Sequence, residues 1–424
     1  MRNTITAPTI AFAILAAIAI ASCSKPSSQS DSTKDHATGA VASTSALPAS
    51  PDASPDASDA PEVGTNQAVP GGLVNPSTMS AASGNMCVVS DAHEPKCWGV
   101  GFMDAYRGTG FNAPKHVLGI TSGVEAVCAG GWYEDWRRAY WDQVCVLTAA
   151  GAVKCSRNQA SGIGKPPDAG VVAISCGMTH ACAIMATGGV ECWGGNYSGE
   201  LGDGTNNWKK GALRPVLGLE PGVTAISAGS NHTCAITAGG GLKCWGGNDS
   251  GQLGDGTSVQ YKANPVTSVS GLESGVVSVS AGHGYTCAIA SGGSVKCWGL
   301  NDKAQLGDGT KAVKKVPTQV VGLESGVVAI SAGSRHACAL SAAGGVWCWG
   351  TMMGGGTTVQ KSTPAKIPGL ESGVVGIAAG EEITCAITTG KRVMCWGYYY
   401  KAGGPYGKDA AYWNITPREQ SGVL

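Results

Sequence analysis

The chain predicts an all-β fold, a seven-bladed β-propeller with four-stranded antiparallel blades, placed after a signal peptide and a disordered tether. Three observations carry this. Seven times along the 424 residues two cysteines stand ten positions apart. From pair to pair the period is mostly 47–53 residues, a spacing typical of propellers, solenoids and arrays. Each full unit contains four strand-like pieces and no helix-period segment, and seven such units argue for a propeller.

The cysteine pairs are Cys87/Cys97, Cys145/Cys155, Cys182/Cys192, Cys234/Cys244, Cys287/Cys297, Cys338/Cys348 and Cys385/Cys395. A turn signal lies inside each, clearest in CAITAGGGLKCWG (residues 234–246) and CAIASGGSVKCWG (residues 287–299). Apolar, β-favouring residues flank the glycines on both sides, so each pair reads as strand, tight turn, strand. Pairing centred on Gly239 sets Cys234 opposite Cys244. Cα atoms at such a position lie about 4.5 Å apart, inside the range of roughly 4.4–6.8 Å that a disulfide needs. Closing so short a loop stabilises each hairpin by about 2–3 kcal/mol. The competing reading, buried free thiols, is opposed by the unvarying spacing and by the export signal described next.

Of seventeen cysteines, Cys23, Cys128 and Cys176 remain. The last two hold adjacent positions of one repeat element in neighbouring units, AVCAGG (126–131) and AISCGMTH (173–180). A Cys128–Cys176 bridge between adjacent inner strands is expected, against the alternative of two separate buried thiols.

Residues 1–22 read as a signal peptide: Arg2, then an apolar run from about Ile10 to Ala21. The run is too short for a comfortable membrane span. It ends in Ile20-Ala21-Ser22-Cys23, which resembles the bacterial lipobox. That resemblance implies a lipidated Cys23, membrane attachment through the lipid, and a place in the bacterial cell envelope. Ser24 after the cysteine implies the outer membrane. Residues 23–70 then form the lipidated cysteine and a Ser/Ala/Pro/Asp-rich tether, including PASPDASPDASDAPE. Such a composition cannot bury a core and stays disordered.

Formal net charge is zero. The tether holds six acidic and two basic residues, leaving the folded part slightly basic without a long Lys/Arg run. Nucleic-acid binding needs a concentrated basic face, so no nucleic-acid partner is expected.

The propeller is expected over 71–424. One full unit is RPVLGLEPGVTAISAGSNHTCAITAGGGLKCWGGNDSGQLGDGT, residues 214–257. Its strand-like pieces fall around 215–217, 223–228, 233–237 and 242–245. The Val-x-x-Ile-Ser-Ala-Gly piece suits the crowded axis. The pattern GV-x-x-I-x-AG-x-x-H-x-CA, followed by CWG-x-N-x-x-GQLGDGT, resembles the regulator of chromosome condensation repeat, in the cysteine-bearing version of exported bacterial proteins. It is clear at 222–257, 275–310 and 326–350, and degraded in the first, second and last units. The resemblance covers 71–424 and implies seven blades. The first unit shows no outer strand before its inner one, and the tail TPREQSGVL repeats the opening of TPAKIPGLESGVV (363–375). Ring closure is therefore expected by the C-terminal tail, both chain ends sharing one blade.

Residues that could carry chemistry have structural alternatives. His180, His232 and His336 share one repeat slot, which suits a hydrogen bond to neighbouring backbone better than a metal. Asp203, Asp255 and Asp308 sit in Leu-Gly-Asp-Gly-Thr turns, whose Asp-Gly chemistry needs no calcium. Trp98, Trp193, Trp245, Trp298, Trp349 and Trp396 recur once per unit and suit packing between blades. No metal and no cofactor is expected. The sequence contains no H-E-x-x-H, G-x-S-x-G, G-x-x-x-x-G-K-[ST] or C-x-x-C, and no catalytic residue is assigned.

Departures from the repeat are better candidates. In the second unit GWYEDWRRAYWDQV separates Gly130 from Cys145, where a full unit has four residues. Trp132, Tyr133, Trp136, Arg137, Arg138, Tyr140 and Trp141 are the candidate ligand-binding residues, of types enriched in binding hot spots. The alternative is a plug over the channel mouth. The same unit has Ser156 in place of tryptophan and is short before Cys182, so its outer strand is expected to be missing. A second departure, WGYYYKAGGPYGKDAAYW (396–413), need not share the insertion's face.

The leading functional expectation is a monomeric, non-enzymatic binding module that shows one propeller face to a protein or glycan at the cell envelope. A second is inhibition of an extracytoplasmic enzyme, through resemblance to an exported β-lactamase-inhibitory propeller. The third, nucleotide exchange on a small GTPase as in the repeat's eukaryotic founder, needs a partner on the other side of the membrane.

Overall fold

Each glycine-rich turn folds its flanking apolar strands together, and the ten-residue spacing sets their register. Cys234 lies opposite Cys244, Thr233 opposite Trp245 and Ile236 opposite Leu242. The same register sets Cys87 opposite Cys97, Cys145 opposite Cys155 and Cys182 opposite Cys192. It also sets Cys287 opposite Cys297, Cys338 opposite Cys348 and Cys385 opposite Cys395. The computed structural model joins all seven pairs, Cys87–Cys97, Cys145–Cys155, Cys182–Cys192, Cys234–Cys244, Cys287–Cys297, Cys338–Cys348 and Cys385–Cys395, as disulfides. Their Cα separations are 4.0–4.1 Å. That is closer than the spacing of about 4.5 Å expected for facing residues of a plain antiparallel pair. The bridge itself draws the two strands together, and every one of these cysteines is buried in the blade core.

Described residues are 78–82, 85–99, 111–117, 119–134, 139–156, 165–207, 211–354, 357–381, 383–400 and 411–424, all within one unit, Asn66–Leu424. Cys23, the signal peptide and the tether lie outside them.

The strand before each hairpin pairs with its inner side and the strand after it with its outer side. Blade 4 thus runs Ala225–Ala228, His232–Ile236, Leu242–Gly247, Tyr261–Ser268 from axis to rim. The protein is a seven-bladed propeller; among the described residues six blades are four-stranded and antiparallel and one is three-stranded. The short one is blade 2, which among the described residues consists of Val124–Glu134, Ala139–Thr148 and Val153–Cys155.

A register shift accounts for the Cys-Trp-Gly triplet. In blade 4 the ladder to the outer strand skips between Cys244 and Gly246, leaving Trp245 at a bulge. Gly246 has φ +100° there, and a Cβ would lie 2.8 Å from the Asn231 carbonyl. Bulges with this geometry are where glycine is favoured. The tryptophan sides against the preceding blade: Nε1 of Trp245, Trp298 and Trp349 donates to the carbonyls of Glu200, Gln252 and Gln305, at 2.8–2.9 Å. Seven apolar clusters result, each joining two neighbouring blades. Fully burying a large side chain of this kind contributes about 1.5–3 kcal/mol.

At the axis, the Ser-Ala-Gly element makes a hydrogen-bonded ring. The amides of Ala129, Ala228, Ala281, Ala332 and Ala379 donate to Oγ of Ser80, Ser175, Ser227, Ser280 and Ser331 on the preceding blade, each at 2.9 Å. The following glycines allow this closeness: a Cβ on Gly333 would lie 2.2 Å from the Gly380 carbonyl. Between blades 2 and 3 the serine and alanine positions are Cys128 and Cys176, joined as a disulfide with Cα atoms 5.4 Å apart.

Two expectations need correction. The chain ends do not share a blade. Blade 1 is made of Met79–Ala81, Asn85–Val89, Pro95–Gly99 and Phe111–His116, and the tail Ala411–Gln420 is the outer strand of blade 7. In each four-stranded blade the outer strand pairs with the hairpin that precedes it in the chain. Val423 of the tail packs with Met79 and Trp98 of blade 1. The repeat histidines, too, bond to side chains and not to backbone. Nε2 of His180, His232 and His336 meets Oγ1 of Thr233, Thr286 and Thr384 on the next blade, at 2.6–2.8 Å.

Candidate functional site

In an antiparallel meander, the connections from first to second strand and from third to fourth lie at the same end of the sheet. Three strand pairs in this propeller are lengthened at that end. In blade 2, Val124–Glu134 and Ala139–Thr148 continue past Gly130 as a paired hairpin, with Trp132 opposite Trp141 and Tyr133 opposite Tyr140. The insertion is therefore an extension of the innermost strands and not a loop. Trp136, Arg137 and Arg138 lie outside the described residues. In blade 7, Val393–Tyr400 and Ala411–Gln420 set Tyr398 opposite Trp413 and Tyr399 opposite Tyr412. In blade 6, Val346–Gly354 and Thr357–Lys366 set Met352 opposite Val359. The insertion and the tyrosine-rich segment, which the repeat order alone left unrelated, share this end.

The same end holds charged residues that pattern reading passed over. They occupy the two positions after each axial Ala-Gly, where the repeat varies from blade to blade: His283 in blade 5, Arg335 in blade 6 and Glu381 in blade 7. Burial holds His283 below its ordinary range, helped by the Arg335 charge and opposed by Asp302. Burial raises the Glu381 carboxyl, and Arg335 pulls it back down. Asp302 is held low by the Lys303 ammonium bonded to it, at 2.7 Å. Arg335 thus lies at the centre of a charged arc across three blades. Variation at these slots amid constant neighbours was the signal available in the sequence.

The remaining candidates take structural places. The imidazoles of His180 and His336 are pushed down to about 4 by burial, and that of His232 to about 3 by burial and neighbouring histidines. All three are neutral, buried ties between blades. Asp203 accepts from the Asn196 amide, the Thr205 hydroxyl and the Thr205 backbone, at 2.7–3.2 Å, closing its own turn. Asp255 and Asp308 bond the threonine two residues on in the same way. Among the described residues the one group of sulfur, imidazole or carboxylate atoms close enough for a metal is Cys128, Cys145 and Cys176, and these are in disulfides.

The signature described as the Regulator of chromosome condensation (RCC1) repeat matches residues 171–200, 223–252, 276–305 and 374–398, and in a second form 240–289 and 292–340. These segments of the chain match RCC1 repeats. Its repeats are 35% identical over 196 residues to the human E3 ubiquitin-protein ligase HERC2, covering 44% of this chain and 4% of that protein. Against the ultraviolet-B receptor UVR8 of Arabidopsis thaliana identity is 30% over 181 residues, or 42% of this chain and 40% of the receptor. The chain thus spans less than half the length of either relative. Among solved structures, yeast RCC1 (Prp20) bound to Kap60 superposes with a TM-score of 0.62 at 18% identity, over 78% of this chain and 84% of that one. That likeness is one of fold.

Proposed function

We propose that this protein is a non-enzymatic binding scaffold, lipid-anchored through Cys23 in the bacterial cell envelope, that holds a protein or glycan partner against the end of the propeller carrying the lengthened hairpins. The carrying observation is that three departures from the repeat, in blades 2, 6 and 7, extend the strands at one end of the sheets. Aromatic and arginine side chains are the residue types most enriched in binding hot spots, and two of the hairpins bear four cross-strand aromatic pairs between them. The charged arc around Arg335 supplies polar contacts beside them. The signal-peptide pattern, the lipobox-like Ile20-Ala21-Ser22-Cys23 and the paired cysteines support a place outside the cytoplasm. A partner in complex with the yeast propeller of similar fold supports the use of the scaffold for protein binding.

The test is affinity capture from envelope extracts with the full chain, against a variant in which residues 131–142 are replaced by a short turn like those of blades 3–6. Loss of a specific protein or glycan from the variant, with unchanged thermal unfolding, is expected. Equal capture by both proteins overturns the assignment of the face.

A further inference from the structure

Two of the eight disulfides meet in one place. The sulfurs of Cys128, Cys145 and Cys176 lie within 4.8 Å of one another, and Cys145 is bonded to Cys155. Cys145 stands opposite two cysteines at once: Cys155 on the strand to its outer side and Cys128 on the strand to its inner side. No other hairpin has this. The residues that face Cys87, Cys182, Cys234, Cys287, Cys338 and Cys385 from the inner strand are Ser80, Ser175, Ser227, Ser280, Ser331 and Ala378.

Residues opposite one another in a sheet project to the same side, so the side chains of Cys128, Cys145 and Cys155 form one row. Cys145 uses its close, non-hydrogen-bonded side for Cys155, with Cα atoms 4.0 Å apart. Its other side is therefore the wide kind, with Cα atoms about 5.5 Å apart. That too falls in the range of roughly 4.4–6.8 Å which a disulfide accepts. Cys176 reaches the row from blade 3 and is the least covered residue of the four.

We propose that Cys128, Cys145, Cys155 and Cys176 form one thiol–disulfide exchange site, which takes a small thiol reductant and moves a bridge from between blades 2 and 3 to within blade 2. A thiolate attacks the sulfur of Cys176 and breaks its bond to Cys128, giving a mixed disulfide and a Cys128 thiolate. Cys128 attacks Cys145; the 145–155 bond breaks, the 128–145 bond forms, and Cys155 leaves as the thiolate. A second thiolate attacks the mixed disulfide and releases Cys176. Two small thiols become one small disulfide, one protein bridge is reduced, and the two protons end on Cys155 and Cys176. Exchange of this kind proceeds by attack of a thiolate on a disulfide sulfur and depends on access and leaving group. The outcome unfastens blade 2, the blade that bears the aromatic hairpin, from blade 3. It also places the new bridge on the two strands that continue into that hairpin, three register positions from Gly131 and Asp142.

The experiment treats the oxidised full chain with an equimolar amount of dithiothreitol, then acid-quenches, labels free thiols and maps peptides by mass spectrometry. A Cys128–Cys145 linked peptide is expected, with label on Cys155 and Cys176 about tenfold above that on the six other hairpins, whose sulfurs have no second partner. Label confined to Cys128 and Cys176 with Cys145–Cys155 intact overturns the proposal, as does even labelling of all eight bridges. Cys155→Ser provides the second arm, since it leaves three sulfurs to share one bridge without any reductant. Label on both Cys145 and Cys176 is expected; label on Cys145 alone counts against exchange. Should that variant not fold, the wild-type mapping decides.

Discussion

The junction of blades 2 and 3 and the junction of blades 7 and 1 depart from the other five in opposite directions. At the first, a disulfide stands where its neighbours have a serine-to-amide hydrogen bond. At the second, Ala378 occupies the serine position and Ile383 the histidine position, so neither polar tie forms. Among the described residues the seam is held by apolar packing of Met79, Met86, Val88 and Trp98 on Ile383, Ile387 and Val423, and by the exposed ion pair Lys391–Asp91. An exposed pair of that kind contributes little. A ring of near-identical blades therefore has one covalent joint and, among the described residues, one joint with neither the serine nor the histidine tie. Repeat architectures distribute stability over nearest-neighbour interfaces, and here the interfaces are unequal.

The largest expected effect comes from acid, which acts on the histidine junctions and spares both unusual ones. His180, His232 and His336 have folded values of about 4, 3 and 4 against an ordinary 6.5. The unfolded chain therefore takes up these protons first. Stability is complete above about pH 6.5 and falls as the pH drops toward 4, by roughly 2 kcal/mol per ring at pH 5, or on the order of 6 kcal/mol together. Urea unfolding at pH 7 and pH 5 measures it. A flat profile shows that the rings are not neutral ties. Hydrogen exchange at pH 5 should show blades 3–7 loosening with the blade 2–3 joint retained.

Next in size is the covalent joint. Cys128→Ala with Cys176→Ala should cost about 4 kcal/mol on the loop-entropy view of a bridge closing 48 residues. Cys128→Ser with Cys176→Ala restores the serine-to-amide bond of the other junctions. It should recover about 1 kcal/mol relative to the double alanine. Equal stability of the two variants would separate this junction from the serine ring.

The smallest effect sharpens the seam. Ala378→Ser supplies the hydroxyl that the Ala81 amide lacks, and should stabilise the protein by about 1 kcal/mol. Slower amide exchange in Met79–Ala81 is the specific readout, and no change there means that the seam is spaced differently from its neighbours.

Much of this was legible in the residues. Ten-residue cysteine spacing set hairpin register because side chains opposite one another must share a face. Recurrent tryptophans announced inter-blade packing. The phase of the unit was not legible. In a cyclic repeat, the strand after one hairpin is also the strand before the next, so TPREQSGVL matched both readings equally. Hydrogen bonding resolves this: the final strand pairs with Val393–Tyr400 of the hairpin before it. The charged arc of His283, Arg335 and Glu381 was equally hidden, because its members are about fifty residues apart and meet only around the axis.

Local chemistry alone thus determined the strands, their pairing within each hairpin and the number of blades, because those depend on contacts a few residues apart. Which blade takes the final strand, which end of the sheets gathers the aromatic hairpins, and which cysteine faces two partners depended on the closed ring. Those relations join residues distant in sequence, and only the packing of blade on blade brings them within reach of one another.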